Sequence, residues 1–256
     1  MDAFLHSNQM GSNKSNKLYI VMPAYNEEAN IEKTVKQWHS VVEKVGLNSR
    51  LVIFNDGSTD NTFEIMLRLN EKYSQFIPVS KPNSGHGATC IFAYNYGINA
   101  DADFIFQTDS DGQTNPEDFW PFWEKRNEYD FIIGYRNDRK DGCFRVLVTK
   151  VLKLLVWLIF RENIRDCNSP FRLMNPKKLK PILEIMPDNF FFTNVIISTL
   201  VVKRKEKHLW LPISFKPRQG GINSINHKRI IKIGCKGIVD FYTMRQKIYN
   251  GQKYED

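Results

Sequence analysis

Short apolar runs alternate with amphipathic stretches through the first half of this 256-residue chain, and no other feature restricts its fold as much. Leu18 to Met22 reads as a buried strand ended by Pro23. A helix is expected from about Glu28 to Val45, with Ile31, Val35, Trp38, Val42 and Val45 on one face. Leu51 to Phe54 is the next strand, and Ser58-Thr59-Asp60 supplies N-caps for a helix carrying Phe63, Met66, Leu67 and Leu69. Phe76 to Val79 is a weaker strand, and Gly85 and Gly87 lead into a helix through Tyr96. Phe104 to Gln107 and Phe131 to Gly134 are further strands, with a helix between them opened by Asn115-Pro116-Glu117. Such a βαβαβ rhythm predicts an α/β fold: a largely parallel central sheet flanked by helices.

The second half reads differently. Val146 to Phe160 is almost wholly apolar, interrupted by Thr149, Lys150 and Lys153. It is too short to span a bilayer comfortably, and Arg145, Arg161 and Arg165 flank it. It suits either a membrane interface or a core helix. Asp166 to Met174 is mixed; a helix runs from after Pro187 through Phe192 to Val202, and His208 to Phe215 forms a strand. Pro217 to Asn226 is a loop, and His227 to Tyr249 is a basic C-terminal helix whose Lys228, Arg229, Lys232 and Lys236 suit anionic lipid or solvent. The expected organisation is a polar disordered tail over 1–17, one domain over 18–226, and a basic helix and tail over 227–256.

Charge and cysteine usage narrow the function classes. A net charge of +8 admits an anionic partner, whether nucleotide, nucleic acid, phosphorylated lipid or acidic membrane. Cys90, Cys143, Cys167 and Cys235 form no CxxC pair, which argues against a zinc or redox centre and for free thiols in a reducing compartment. The N-terminus lacks the apolar core of a signal peptide, and no segment of spanning length is free of charge. The expected location is the cytoplasm, with peripheral attachment to the inner face of a membrane left open.

Four motifs fall where strands are expected to end. Asp109-Ser110-Asp111-Gly112-Gln113 follows Phe104 to Gln107. Two carboxylates one residue apart on a turn suit a hard cation, Mg²⁺ or Mn²⁺, which takes one or two carboxylates plus substrate phosphates and neutralises a diphosphate leaving group. Asn55-Asp56-Gly57-Ser58 places an acceptor, Asp56, where a base or ribose would meet it. Pro23-Ala24-Tyr25-Asn26-Glu27-Glu28 offers Tyr25 for stacking on a nucleobase. Asn83-Ser84-Gly85-His86-Gly87-Ala88 lets backbone N–H groups approach phosphate, with His86 as a helix-start residue rather than a catalyst.

The order and spacing of these motifs over roughly Leu18 to Ile225 resemble family 2 glycosyltransferases of the Rossmann-like GT-A fold, most closely the dolichol-phosphate (polyprenyl-phosphate) mannosyltransferase branch. Gly134-Tyr135-Arg136 and Ser169-Pro170-Phe171-Arg172 extend the resemblance. It implies that Pro23, Tyr25, Glu27 and Asp56 hold the nucleoside, with Ser58, Gly85, Asp109 and Ser110 completing the donor site. It implies metal ligation by Asp109, Asp111 and Gln113 and inversion at the anomeric carbon. Arg136, Arg145 and Thr149 match positions that grip an acceptor phosphate, and Arg218 matches an arginine near the donor diphosphate. The chain departs from the family pattern at Asn55, Pro170 and Asn223-Ser224-Ile225, and all but the first of these bear on acceptor rather than donor binding.

The implied reaction is metal-dependent transfer of a sugar from UDP or GDP to a polyprenyl phosphate, with Asp111 and Arg218 in catalytic roles. An alternative acceptor is a sugar hydroxyl of a growing glycan, which needs a base, for which Asp166 is the candidate. A third reading is a non-catalytic module that binds nucleotide or nucleic acid. Nucleic acid is not the expected partner, because no RNP motif or zinc finger occurs and the Asp109–Asp111 pair repels phosphate unless a metal intervenes.

Overall fold

The computed structural model describes residues 16–136, 142–216 and 237–248, and of 142–149 the backbone alone. Its elements in order are β1 (Leu18–Ala24), α1 (Ile31–Val45), β2 (Arg50–Asp56), α2 (Thr62–Asn70), β3 (Phe76–Lys81), α3 (His86–Asn99) and β4 (Phe104–Gln107). A 3₁₀ turn (Pro116–Asp118) then leads into α4 (Phe119–Glu124), β5 (Phe131–Arg136), α5 (Gly142–Phe160), β6 (Arg172–Met174), α6 (Pro176–Leu183), α7 (Thr193–Lys203) and β7 (His208–Ile213). A helix over 237–248, α8, follows. The seven strands form one sheet in the order β3-β2-β1-β4-β6-β5-β7. All run parallel except β6, which is antiparallel to both β4 and β5.

Alternation along the strands feeds two cores. Leu18, Ile20 and Met22 of β1 join Leu51 and Ile53 of β2 and Phe106 of β4 beneath α1 and α4. Tyr19, Val21, Val52, Phe54 and Ile105 point to the opposite face, against α3, α5, α6 and α7. On the first face Phe106 is the hub of an aromatic cluster, with ring centroids 5.6 Å from Trp38, 5.0 Å from Phe119 and 4.7 Å from Phe171. Each such pair adds about 0.5–1.5 kcal/mol beyond area burial. The cluster fixes β4, a strand of only four residues, at the sheet's centre.

Some expectations need correction. Pro23 does not end β1, which continues to Ala24. The Val21 carbonyl faces β4 and accepts from the Thr108 N–H at 3.3 Å, so Pro23, two residues on, faces the same side, where β4 has already ended. Its missing N–H therefore costs no ladder bond. Ser58 and Thr59 do not cap α2, which starts at Thr62 after Asn61. Leu67 of that helix is exposed. Helix α6 was not anticipated, because Pro181 inside it breaks the expected pattern. Its Asn175 cap accepts from the Lys177 N–H, and Pro176 opens it.

The apolar run belongs to α5 and does two things. Val156 and Phe160 are buried, whereas Val151, Leu154, Trp157 and Leu158 are exposed. Helix α8 closes over the same core through Phe241, Met244 and Ile248, with Phe241 6.0 Å from Phe160. Among the described residues no helix is long and apolar enough to cross a membrane. Of the expected tail over 1–17, Lys17 is instead tied to the start of β4, its carbonyl accepting from the Asp103 N–H at 2.9 Å, while residues 1–15, the loop from Pro217 and the basic residues Lys228, Arg229, Lys232 and Lys236 lie outside the described residues.

Gly87 shows how tightly α3 is seated. A Cβ there would sit 2.2 Å from the Phe191 carbonyl oxygen and 2.3 Å from that of Phe190. The Thr193 hydroxyl donates to the Gly87 carbonyl at 2.9 Å. This glycine serves close packing of helix against loop. Gly87→Ala is expected to lower stability by about 2–3 kcal/mol, as a fall in the urea midpoint without change in m-value.

Candidate active site at the carboxyl edge of the sheet

Strands β1, β2, β3, β4, β5 and β7 all deliver their carboxyl ends to one edge, and antiparallel β6 begins there, with Arg172 opposite Gln107 and Ile133. Successive strands run outward from β1 to β2 and β3, and then β4 is added on the other side of β1. The crevice between β1 and β4 is thus a topological switch point, where open α/β sheets bind ligands.

The Asp109–Asp111 turn sits in that crevice. The Ser110 hydroxyl donates to the Pro23 carbonyl at 2.7 Å, and the Thr34 hydroxyl of α1 donates to the Ser110 carbonyl at 3.1 Å. Ser110 is buried, so it anchors the turn. Asp109 and Asp111 flank it and are only partly covered. Asp111 Oδ1 accepts from the Gln113 N–H at 3.1 Å, and Gly112 takes the left-handed φ of +73° the turn requires. His86 Nε2 lies 3.1 Å from Asp109 Oδ1, so this residue, read from sequence only as a helix start, reaches the same carboxylate. The Gln113 amide nitrogen donates to the Lys216 carbonyl at 2.9 Å. Its backbone carbonyl accepts from the Lys216 N–H at 2.8 Å. These bonds tie the turn to the segment after β7. An amide ligates a cation through oxygen, so the Lys216 contact is compatible with metal binding. Two carboxylates on one turn at a strand end fit a Mg²⁺ or Mn²⁺ ion that completes its shell with substrate phosphates and water. Among the described residues no cluster of three or more His, Cys, Asp or Glu side chains forms a ready cation cage.

The first two motifs form one unit. The Asn26 N–H donates to Ser58 Oγ at 3.0 Å, Glu27 N–H to Thr62 Oγ1 at 2.8 Å and Glu28 N–H to Asp60 Oδ2 at 3.2 Å. In return, Thr59 N–H donates to Asn26 Oδ1 at 2.8 Å and Asn61 N–H to Glu28 Oε2 at 3.1 Å. Of the expected caps of α2, Ser58 and Thr59 therefore serve the neighbouring loop, and Asp60 serves both, its Oδ1 accepting from the Thr62 N–H at 3.0 Å, which a reading of either segment alone misses. Asn26, at φ +54°, turns the chain. Tyr25 projects 41% exposed beside it, while Glu27 is buried and accepts from the Asn30 amide at 2.8 Å.

Asp56 is buried and holds the loop after β3. Its Oδ1 accepts from Lys81 Nζ and from the Ser84 N–H, and its Oδ2 accepts from the Gly85 N–H, both N–H bonds at 2.9 Å. Burial pushes its carboxyl pKa up, but the hydrogen bonds from Lys81, Ser84 and Thr89 and the Lys81 charge outweigh that and hold it below the usual value. Gly85 thus gives its N–H to Asp56 rather than presenting it to phosphate, and its φ of +86° is why glycine stands there. Asn55 bridges Ser80 and the Ser58 N–H at 3.0 and 3.2 Å.

On the other side of the crevice Arg136 and Asp166 meet. Arg136 Nε and Nη2 lie 3.0 and 3.1 Å from Asp166 Oδ2 and Oδ1, and the guanidinium lies 5.1 Å from the Phe215 ring centroid. Sequence reading assigned these two residues to rival acceptors; the fold makes them one bidentate pair. The side chains of Arg145 and Thr149 lie outside the described residues, as does Arg218 altogether. Cys90 and Cys167 are buried.

Lys81 and Asp56 are 13% and 5% exposed, so Lys81→Met leaves a buried carboxylate without its counter-ion. Stability at neutral pH is expected to fall by about 3 kcal/mol. The depressed Asp56 pKa contributes stability above the unfolded carboxylate value that is lost as pH falls through the folded one. Acid unfolding followed by circular dichroism is therefore expected at higher pH in Lys81→Met than in the parent.

Known proteins place this geometry. The family described as "Glycosyl transferase family 2" matches residues 19–183. The chain is 21% identical over 218 residues to undecaprenyl-phosphate 4-deoxy-4-formamido-L-arabinose transferase of Salmonella paratyphi B, covering 85% of this chain and 65% of that protein's length. Among solved structures it resembles glucosyl-3-phosphoglycerate synthase from Mycobacterium tuberculosis in complex with Mn²⁺ and UDP-glucose, with a TM-score of 0.63, 15% identity, and coverage of 90% of this chain and 79% of that one. A complex of the same synthase with Mn²⁺, UDP-glucose and phosphoglyceric acid gives a TM-score of 0.63 at 17% identity, covering 90% and 80%. With two parallel-sheet loops joined beside an Asp-Ser-Asp turn, and a family match over most of the sheet, the chain belongs to glycosyl transferase family 2 and has the GT-A fold.

Proposed function

We propose that the chain transfers a sugar from a nucleoside diphosphate to a polyprenyl phosphate at a membrane surface, with inversion at the anomeric carbon. The observation that carries this reading is the Asp109-Ser110-Asp111 turn pinned into the β1–β4 crevice by Ser110 and Thr34. The exposed Tyr25 and the interlocked loops after β1 and β2 would hold the nucleoside, together with Pro23, Glu27, Asp56 and Ser58. Asp109 and Asp111, with Gln113, would hold the cation, which when bound supplies charge neutralisation at the leaving diphosphate. An acceptor phosphate oxygen attacks the anomeric carbon as the bond to the diphosphate oxygen breaks. The phosphate is already ionised, so positioning suffices and no base is needed.

Acceptor recognition would fall to Arg136, Arg145 and Thr149, with Arg218 on the diphosphate. The Arg136–Asp166 pair favours this reading over transfer to a sugar hydroxyl. Both Asp166 oxygens accept from the guanidinium, which suits a residue that orients an arginine better than one that takes a proton. The Salmonella relative is named for undecaprenyl phosphate, which supports the same choice. The exposed Val151, Leu154, Trp157 and Leu158 of α5, with Arg161 5.5 Å from the Trp157 ring centroid, and Ile238, Val239 and Tyr242 of α8 suit the interface of an anionic membrane where such a lipid resides.

The test is transfer of radiolabel from UDP- and GDP-sugars to polyprenyl phosphate in vesicles, beside soluble glycan acceptors, with and without Mn²⁺. Label is expected in lipid alone and only with the cation, and Asp111→Ala is expected to lower the rate by on the order of 10²–10³. Label appearing in glycans alone would overturn the lipid reading. Leu154→Glu with Trp157→Glu is expected to lower co-sedimentation with anionic vesicles at least tenfold while transfer to a detergent-solubilised short-chain acceptor persists.

A further inference from the structure

Beneath the Asp109–Asp111 turn runs a chain of buried polar side chains that no sequence motif marks. Gln107, the last residue of β4, is fully buried, and its Nε2 donates to Asp109 Oδ1 at 3.3 Å. Gln107 Oε1 accepts from Asn194 Nδ2 of α7 at 3.1 Å, with the Tyr94 hydroxyl of α3 at 3.2 Å. Tyr94 donates to Asn194 Oδ1 at the shorter distance of 2.7 Å. The Asn194 backbone carbonyl accepts from Arg172 Nη1 at 3.2 Å, and Arg172 is itself fully buried and bonded to the Ser169 carbonyl. Elements from both halves of the chain, α3 and β4 with β6 and α7, thus converge behind one carboxylate.

Only one arrangement of donors satisfies this chain. An ionised carboxylate only accepts, so Gln107 must turn its NH₂ to Asp109 and its oxygen to Asn194. Asn194 must then give its NH₂ to Gln107 and offer its oxygen to Tyr94, whose single hydrogen completes the row. Burial raises the Tyr94 pKa well above its usual value, which keeps that hydrogen in place. Donation runs one way, from Tyr94 through Asn194 and Gln107 to Asp109. Buried polar groups are costly unless satisfied, so the row is stiff and holds Asp109 through Oδ1, the oxygen that His86 also reaches, while the side chain remains 27% exposed.

We infer that Gln107 and Asn194 are positioning residues for cation binding: they fix the rotamer of Asp109 and keep its carboxylate turned toward the donor diphosphate. This rests on the proposed role of Asp109. Outer residues of this kind alter metal affinity by about 10–100-fold when changed. Asn194→Asp is the sharp variant, since it is isosteric and does not touch Asp109. Its carboxylate would take the Gln107 NH₂, leaving the Gln107 oxygen facing Asp109 and turning a hydrogen bond into a repulsion.

Mn²⁺ would be titrated calorimetrically in the presence of UDP and, separately, GDP, against the parent chain, Asn194→Asp, Gln107→Leu and Ser198→Ala. The Ser198 hydroxyl donates to the Asn194 carbonyl at 2.9 Å, so Ser198→Ala loosens α7 at the same residue without altering the amide row. Asn194→Asp and Gln107→Leu are expected to bind Mn²⁺ at least tenfold more weakly, and Ser198→Ala to bind it as the parent does at a lower Tm. If Gln107→Leu does not fold, the isosteric Asn194→Asp decides. Parent-like Mn²⁺ affinity in folded Asn194→Asp, or equal loss in Ser198→Ala, would overturn the inference while leaving the donor reading intact. A parent chain that binds no Mn²⁺ with either nucleotide would overturn the donor reading and this inference together.

Discussion

The parallel pairing of β1 with β4 is the interaction on which the rest of the site depends. It sets Val21 against Gln107, the last residue of β4, while β1 runs on three residues to Ala24. Beyond those ends the chain turns away on both sides, which opens a crevice at the point where the strand order reverses. The Thr108 N–H to Val21 carbonyl bond is the last rung, and Ser110 to Pro23 ties the two loops just beyond it. A proline is tolerated there because its missing donor faces the side where pairing has ended. The polar chemistry of the site is therefore laid on a rigid ladder.

What holds β4 in place is hydrophobic on one face and polar on the other. Phe106 packs into the Trp38, Phe119 and Phe171 cluster, while its neighbour Gln107 turns to the opposite face and meets Tyr94 and Asn194. Period-two alternation makes this division unavoidable. A glutamine in the middle of a core must be fully bonded, and here its last bond goes to Asp109. The same logic governs Asp56, whose burial is offset by Lys81 and two backbone N–H groups. Buried polar groups at this edge are thus coupled to loop geometry: each fixes a loop because it has no water to turn to.

Much of the donor side was legible in the sequence. Six of the seven strands and the helices between the first four follow from apolar periodicity, and the motifs at Tyr25, Asp56 and Asp109 fall at strand ends because parallel sheets place their loops at one edge. The three-residue β6 was hidden in a mixed segment, and α6 was hidden by Pro181. The partners of Ser58, Thr59, Gly85 and Gly87 were hidden for one reason. Each sits in a local pattern with an ordinary local use, as cap or phosphate loop, yet its partner lies elsewhere in the chain: Asn26 and its loop for the first two, Asp56 for Gly85 and the 190–191 backbone for Gly87.

The sequence by itself determined the sheet, the order of its motifs and the pair of carboxylates around Ser110, because these depend on spacing along the chain. Tertiary structure alone decided which groups face one another. It joined Arg136 to Asp166, drew His86 onto Asp109, and ran a row of amides from α7 to the Asp109–Asp111 turn. Those contacts bridge separations of up to 100 residues, as between Tyr94 and Asn194. A hydrogen bond needs its partner within about 3 Å, and only the folded sheet brings such distant residues that close.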